Sequence, residues 1–443
     1  MRESKYTIFS KIKNSDEYFL INILTGNADI LDASHADKYT QLASGIEGSN
    51  DEFKSELIEK KYFISEIEEQ RLYKSKYLDF VDSRDDDEVQ LFFVPNYSCN
   101  FNCSYCYQDE YNNSPKAVDA VVIDAFFDYI KSEFSNRRKY ITIFGGEPLL
   151  DSPIQKTAIS FLISKANDNN LEVCFVTNGF SLVNYIDILK QAKIREIQVT
   201  LDGTADVHDK RRFLKGGNPT FEKIVEGIDA CLANNIHVNL RMVIDKENVA
   251  ELNHLSKFAI DKGWSKSDFF KTQVGRNYEL HHCQESNDRL FDRLSLFEEI
   301  YKLTKENPHI FEFYKPAYSI SKFLFENGEL PEPLFDSCPA CKTEWAFDYN
   351  GNIFSCTATV GKLEEKLGTF YPERTLNKSM VEDWESRDVL SIDECKNCEV
   401  QLACGGGCGS VAKNRTGKIC STDCRPIKGL LEIGMSAYFI QNS

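Results

Sequence analysis

The chain has 443 residues, 42% of them hydrophobic and 12% aromatic, enough apolar side chain for two to four cored domains. Lys plus Arg number 52 against 69 Asp plus Glu, a formal net charge of −17 that repels phosphate backbones and anionic lipid. Nucleic-acid and membrane binding are therefore disfavoured, and a neutral or basic partner such as a small peptide suits the field better.

The opening MRESKYTIFSKIKNSDEYF lacks the apolar core and small-residue cleavage site of a signal peptide. No run of about 18 uncharged apolar residues follows, so no bilayer span is expected and the expected location is the cytoplasm. In that reducing compartment the 15 cysteines do not read as a disulfide framework. Twelve of them fall in two tight groups, the pattern of metal ligands or catalytic thiols. Cys174, Cys231 and Cys283 stand alone and read as small core hydrophobes.

In chain order, YTIFSKI and YFLINILTG are strand-like runs split by the polar turn KNSDE, and NADILDAS adds a third. DEFKSELIEKKYFI and EIEEQRLYKSKYLDFV have helical spacing. Short strands followed by helices over residues 1–85 suggest a winged-helix-like module, ended by the acidic DSRDDDE as a solvated linker.

From Val89 apolar strands alternate with amphipathic helices. VQLFFVPNY reads as a buried strand, and SPKAVDAVVIDAFFDYIKSEF as a helix opened by Ser114 with Pro115 in its first turn. YITIFGG, LEVCFVTNG, EIQVTLDG, HVNLRMVID and SDFFKTQVGR supply five further strands. Repeated βα units imply a parallel sheet with helices outside it, either doubly wound or a barrel. Six units are too few for an eight-fold barrel, which leaves a partial barrel as the barrel form. In either case ligands gather at the carboxyl ends of the strands, where CNFNC, GGEP, TNG and LDG fall. Beyond about residue 310 cysteine and glycine replace the alternation, as expected of a small lobe held by metal rather than by a core.

Cys99, Cys103 and Cys106 are spaced C-x3-C-x2-C, with no fourth thiol nearby. Zinc ligands usually come as two C-x2-C pairs, which this triad fits poorly. Three thiolates on a cubane [4Fe–4S] cluster instead leave one iron free for a substrate or cofactor.

C-x3-C-x-Tyr-C after the first strand of a βα array resembles the signature of the radical S-adenosylmethionine (SAM) enzymes. GGEPLL is similar to that family's GGEP motif, and HDKRR to its HD-x-x-R. The resemblance runs in order over some 115 residues. It implies that Gly145, Gly146, Glu147 and Pro148 receive the methionyl amine of SAM. It likewise implies that Thr177 and Asn178 contact the ribose and neighbouring polar atoms. Thr200 stands where the family usually has serine, Arg212 would pair with the SAM carboxylate, and Tyr105 would rest against adenine. SAM itself would then be the missing ligand of the open iron. Reductive cleavage of SAM would yield a 5′-deoxyadenosyl radical that takes hydrogen from the substrate.

The second cysteine group reads C338-x2-C341-x9-G351-x4-C356, then C395-x2-C398-x5-C404-x3-C408, with Cys420 and Cys424 following. A zinc ribbon would use the two C-x2-C pairs and leave the rest without a role. The whole string resembles the SPASM extension of radical SAM enzymes, which implies two auxiliary [4Fe–4S] clusters and three in all. By that resemblance Cys338, Cys341, Cys356 and Cys408 hold the first auxiliary cluster. Cys395, Cys398, Cys404 and Cys424 hold the second, with Cys424 preferred to Cys420. Cys338 is the ligand in question, because C-x2-C is tight for one cube.

Resemblance at this level includes peptide maturases, anaerobic sulfatase maturases and enzymes of small molecules. The sulfatase branch places an acid after the x4-C cysteine, whereas Thr357 follows Cys356 here. The amino-terminal module sits where peptide maturases often carry a leader-recognition element, whose strand edge pairs with an extended peptide. The expected fold is thus α/β, with a winged-helix-like module (1–85), a partial (β/α)6 barrel (86–310) and a SPASM domain (311–443). The expected function is a maturase that forms a thioether or other crosslink in a ribosomally made precursor peptide with a leader. Its expected electron donor is flavodoxin or ferredoxin. The alternatives are formylglycine formation on a sulfatase, a non-peptide substrate, or a zinc-binding peptide scaffold without catalysis. His281 and His282 read as exposed loop residues.

Overall fold

The computed structural model describes residues 1–46, 52–84, 86–106, 117–277 and 288–440. Ser114, Pro115, His281, His282 and Cys283 lie outside those residues.

The amino-terminal module holds β1 (Arg2–Glu3), β2 (Thr7–Lys11), β3 (Tyr18–Asn22), β4 (Asn27–Leu31), α1 (Ala33–Ala43), α2 (Glu52–Glu59), β5 (Phe63–Ile64) and α3 (Glu66–Ser83). β2, β3 and β4 form an antiparallel sheet with β3 central, so β2 and β4 are its edges. Alternation along the strands splits the side chains between two cores. Ile8, Phe19 and Ile21 join one apolar cluster, while Leu20 and Leu31 join another with Tyr39, Leu57 and Tyr62. Two elements differ from the sequence expectation. α1 was missed because its only buried side chains are Ala36 and Tyr39, a stripe too narrow to show as periodicity. Asp32 caps it, accepting from the His35 N–H at 2.8 Å. The second departure is that DEFKSELIEKKYFI is not one helix: Phe63–Ile64 leaves it to pair with β1.

The core sheet follows the βα reading. β6 (Val89–Val94), β7 (Lys139–Ile143), β8 (Val173–Thr177), β9 (Ile194–Thr200), β10 (Val238–Ile244) and β11 (Phe270–Arg276) pair in parallel, each with its sequence neighbour. Between them run α4 (Ala120–Glu133), α5 (Pro153–Asp168), α6 (Ile186–Leu189), α7 (Ala205–Arg211), α8 (Phe221–Ala233) and α9 (Glu251–Asp261). The strand side chains facing the helices, such as Leu91, Ile141, Phe175, Ile197 and Leu240, are buried with Ile123, Phe126, Leu162 and Ile228. VQLFFV and VNLRMVI read as near-continuous apolar runs, as covered parallel strands do. IREIQVT and FKTQVGR carry polar residues and show as strands through their place in the βα alternation.

The chain after residue 310 does not stand apart. β12 (Glu344–Asp348) adds to the sheet in parallel beside β6, pairing Glu344 with Gln90, and β13 (Asn352–Phe354) turns back antiparallel. The expectation of a lobe held by metal rather than by a core is also corrected. Phe335, Val389, Ile392 and Leu402 share a buried cluster with Ile8, Phe19 and Ile21 of the amino-terminal sheet. The lobe borrows a core from the module it supports. At the centre Phe335 is fully buried among the rings of Tyr73, Tyr77 and Phe80 from α3. The hydroxyls of Tyr73 and Tyr77 reach Gln401 and Asp388 at 2.9 and 2.8 Å. α3 itself runs to Ser83, so the first residues of the acidic linker are helical. Among the described residues no helix is long and apolar enough to cross a membrane.

Emptying that aromatic pocket should uncouple the two parts. Phe335→Ala is expected to cost about 3–5 kcal/mol, read from urea denaturation, with new protease sensitivity in residues 1–85.

Candidate active site

Gly145 and Gly146 follow β7 and press against the segment that leads into Cys99. The Gly146 N–H donates to the Asn96 carbonyl at 3.2 Å and the Glu147 N–H to the Ser98 carbonyl at 2.7 Å. Gly145 has φ +145°, and a Cβ there would lie 2.6 Å from the Asn96 oxygen. At Gly146 it would lie 2.2 Å from the Ser98 oxygen, so no larger residue fits either place. The close approach for which these glycines are needed is to the chain's own backbone.

Glu147 then ties three strand ends together. Its carboxylate accepts from the Leu149 N–H at 2.8 Å, the Thr177 hydroxyl at 2.6 Å and the Asn178 N–H at 2.6 Å. Burial pushes its pKa up, against the pull of those three donors. The Pro148 carbonyl accepts from Gln155 Nε2 at 2.8 Å, pinning the turn to α5. The Asn178 amide donates to Asn100 Oδ1 at 2.8 Å, beside Cys99 Sγ at 3.9 Å.

Tyr105 is held from the other side. Its hydroxyl donates to Asp202 Oδ2 at 2.6 Å and accepts from Arg212 Nη1 at 2.8 Å. Asp202, fully buried after β9, also accepts from the Val243 N–H at 3.1 Å and lies 3.4 Å from Arg211 Nε. Arg211 is a residue that the sequence reading missed in favour of its neighbour. It is buried and pairs with Asp245 through both terminal nitrogens at 3.0 Å. A second acid downstream was the only signal, and nothing in the spacing ties it to HDKRR. His208 is buried, with its pKa held well below the usual value by burial, and its Nδ1 accepts from the Asp202 N–H at 3.2 Å. Arg212 Nε is buried with no hydrogen-bond partner. Burial works against its charge, but Cys103, Tyr105 and Asp202 outweigh it.

These groups border a cavity of about 430 Å³ inside the sheet's curve, the size of a small-molecule site. The three cysteines, Tyr105, Gly145 and Gly146 line it, with Thr177, Asn178, Thr200 and Arg212 opposite. Of the residues expected at the SAM site, Glu147 and Pro148 alone are not on its wall. Cys174, read as an ordinary core residue, faces this cavity from β8, and Arg241, Asn277 and Thr357 line it unforeseen. The Thr357 N–H donates to Glu344 Oε1 at 2.7 Å.

The carboxy-terminal cysteines fall into two neighbourhoods. Cys341 interacts with Cys356 and Cys338, and Cys356 with Cys338 and Cys408. Cys395 interacts with Cys404, Cys398 and Cys424, and Cys398 with Cys404 and Cys424. Cys420 and Cys424 are both exposed, and of the two only Cys424 belongs to a set. Burial pushes Cys99 and Cys395 up to about 12, and Cys341 and Cys356 higher still. Thiols packed this way need an adjacent cation to persist as thiolates. All described cysteines are free of disulfides. Among the described residues no group of three His, Cys, Asp or Glu side chains is spaced for a single metal ion. At Gly405, Gly406 and Gly407 φ is +59°, +73° and +74°, a run that lets the CGGGC loop fold between Ser337 and Asp423.

Residues 93–259 match the Radical SAM superfamily. The chain is 24% identical to the cysteine-type anaerobic sulfatase-maturating enzyme of Clostridium novyi, over 70% of this chain and 85% of that enzyme. It is 31% identical to the GTP 3′,8-cyclase of Rhizobium leguminosarum, over 37% of this chain and 46% of that enzyme. Among solved structures it resembles anSMEcpe with bound AdoMet, with a TM-score of 0.60 and 16% identity over 80% of this chain and 98% of the other. It also resembles SuiB of Streptococcus suis bound to precursor peptide SuiA, with a TM-score of 0.52 and 15% identity over 96% and 98%. Residues 93–259 therefore form a Radical SAM superfamily domain, and the chain as a whole shares its fold with the anSMEcpe and SuiB structures.

The carboxylate of Glu147 is a direct test of this architecture. Glu147→Gln turns an amide N–H₂ toward an N–H or O–H donor and should cost about 1–3 kcal/mol for each partner lost, read as a lowered thermal midpoint.

Proposed function

We propose that the protein is a peptide maturase that uses a [4Fe–4S] cluster and SAM at the cavity of Cys99, Cys103 and Cys106. The residues fit those groups. Three thiols without a fourth border the cavity, and Arg212 carries a buried, unpartnered donor nitrogen beside them. When bound, the cluster and SAM supply reductive cleavage to a 5′-deoxyadenosyl radical that takes hydrogen from the substrate. Cys99, Cys103 and Cys106 would hold the cluster, and Arg212 would pair with the SAM carboxylate. The SAM amine donates, so the carbonyls of Gly145 and Gly146, on the cavity wall, would receive it. Thr177, Asn178 and Thr200 would meet the ribose and nearby polar atoms, and Tyr105, fixed through its hydroxyl, would lie against adenine. These side chains orient one molecule against one iron and exclude water from the cavity. The two carboxy-terminal quartets would hold auxiliary clusters, which accept the electron left on the substrate or bind its thiolate.

The substrate we infer is a ribosomally made peptide with a leader, processed in the cytoplasm with flavodoxin or ferredoxin as reductant. The observation that carries this reading is the amino-terminal module. β4 has no partner on its outer edge among the described residues and borders a cleft lined by Ile30, Asp32, His35, Phe53 and Lys60. An extended peptide adding to that edge would gain main-chain hydrogen bonds and a cleft for its side chains. The likeness to SuiB spans 96% of the chain and so includes this module, whereas that to anSMEcpe spans 80%. A thioether or other crosslink is the product that the auxiliary clusters favour. Formylglycine formation is the second reading, favoured by the sequence relatives and opposed by Thr357 at the position after Cys356.

Oxygen-free reconstitution should load about 12 iron atoms per chain, and dithionite with SAM should yield 5′-deoxyadenosine. A Cys99→Ala, Cys103→Ala, Cys106→Ala variant should lose about four irons and all nucleoside product. Zinc without acid-labile sulfide would establish the scaffold alternative instead. Ile30→Asp, which places a charge at the β4 edge, should weaken binding of the precursor leader about tenfold by fluorescence anisotropy, with iron content unchanged.

A further inference from the structure

Two guanidinium groups lie between the cysteine quartets. Arg387 is fully buried. Its Nε and Nη2 donate to three backbone carbonyls, those of Ile419 at 2.9 Å, Gly406 at 2.7 Å and Ser421 at 3.0 Å. These carbonyls belong to the loops that carry Cys404, Cys408, Cys420 and Cys424. The carboxylate it approaches is Asp336, at 3.5 Å, and Asp336 is already paired with Lys342 Nζ at 2.6 Å. Asp336 Oδ1 also accepts from the Cys338 N–H at 3.0 Å. A Cβ on Gly409 would lie 3.1 Å from both Arg387 Cδ and Cys338 Sγ, so Gly409 packs between the arginine's stem and the first quartet. It acts electrostatically on Cys395 of the second.

Arg425 directly follows Cys424 of the second quartet in the chain, and its Nε is buried without a hydrogen-bond partner. Its charge faces Cys404, Asp423 and Cys408 and is opposed by Arg293. Its neighbour Asp423 is committed to Arg293 at 2.8 Å. A buried cation is costly unless a counter-charge faces it, and each arginine shares its carboxylate: Asp336 also pairs with Lys342, and Asp423 with Arg293 and Arg415. Neutral thiols are poor partners for them. Four thiolates on a [4Fe–4S] cube carry about two net negative charges, and two such cubes side by side repel each other.

Resting on the cluster reading above, we propose that Arg387 and Arg425 form a cationic partition between the two quartets. They offset the mutual repulsion of two anionic clusters and raise the potential at which those clusters accept an electron. Both are positioning residues, acting on the clusters and not on the substrate. Arg387 also anchors the loops through its three carbonyls, a part that Arg425 does not share.

The test uses the full chain carrying Cys99→Ala, Cys103→Ala and Cys106→Ala, so that only auxiliary signals remain, titrated with dithionite under electron paramagnetic resonance. Arg425→Gln removes a charge without removing a loop anchor. It should keep about eight irons per chain, while the reduced-to-oxidised ratio at the parent midpoint falls about tenfold, which is about 59 mV for one electron. Arg387→Met should lower the midpoint likewise, and Arg387→Lys, which keeps the charge, should hold it near the parent value in the clusters it retains. Should Arg387→Met fail to fold, Arg425→Gln decides. Full iron with unmoved midpoints in Arg425→Gln overturns this inference alone. A triad-free protein that binds no iron overturns the auxiliary-cluster reading, and this inference with it.

Discussion

The buried carboxylate of Glu147 is the constraint on which the site depends. It holds Leu149, Thr177 and Asn178 at once, while its own N–H reaches back to Ser98. That one residue fixes the ends of β6, β7 and β8 relative to each other. The approach is close enough that only glycine is tolerated at 145 and 146. The cysteine loop inherits its position from this contact, and the cavity inherits its wall. A second anchor, Tyr105 between Asp202 and Arg212, fixes the far end of the same loop to β9 and β10. The thiols are thus held by two groups of buried polar contacts as well as by the apolar core, in which Phe101 is buried and against which Cys99 and Cys103 pack.

The carboxy-terminal half uses a different principle. Its thiols are crowded and desolvated, which disfavours their charge until a cation is present. With the proposed clusters bound, folding and metal loading would be coupled in this lobe, as in other sites whose ligands are buried. The lobe is nonetheless not held by metal alone, because the amino-terminal sheet contributes Ile8, Phe19 and Ile21 to its core. A peptide bound at the edge of β4 would sit on a sheet whose opposite face touches Cys395 and Cys404. On the proposed function, recognition and redox chemistry would share one packed unit.

Strands such as VQLFFV were legible as near-continuous apolar runs, whereas the polar FKTQVGR was legible only from its place in the βα alternation. The cysteine groupings were legible because spacing along the chain carried them. What the sequence withheld has physical causes. Arg211 and Asp245 meet only through tertiary packing, 34 residues apart, and no local pattern records that. Cys174 lies on the inward face of β8, but in an all-apolar strand inward and outward faces look alike. α1 buries too little to show a period, and β12 joins β6 from more than 250 residues away. The GGEP glycines, which the resemblance assigns to the SAM amine, make their tightest contacts with the backbone of Asn96 and Ser98, and no motif records that.

The central claim is that three thiols, positioned by these contacts, leave one iron open to SAM. Electron paramagnetic resonance of oxygen-free, dithionite-reduced protein lacking the auxiliary cysteines measures this most directly. The account predicts a [4Fe–4S] signal that changes shape when SAM is added and is lost with Cys103→Ala. A signal indifferent to SAM, or a triad that takes up zinc in place of iron, would contradict it.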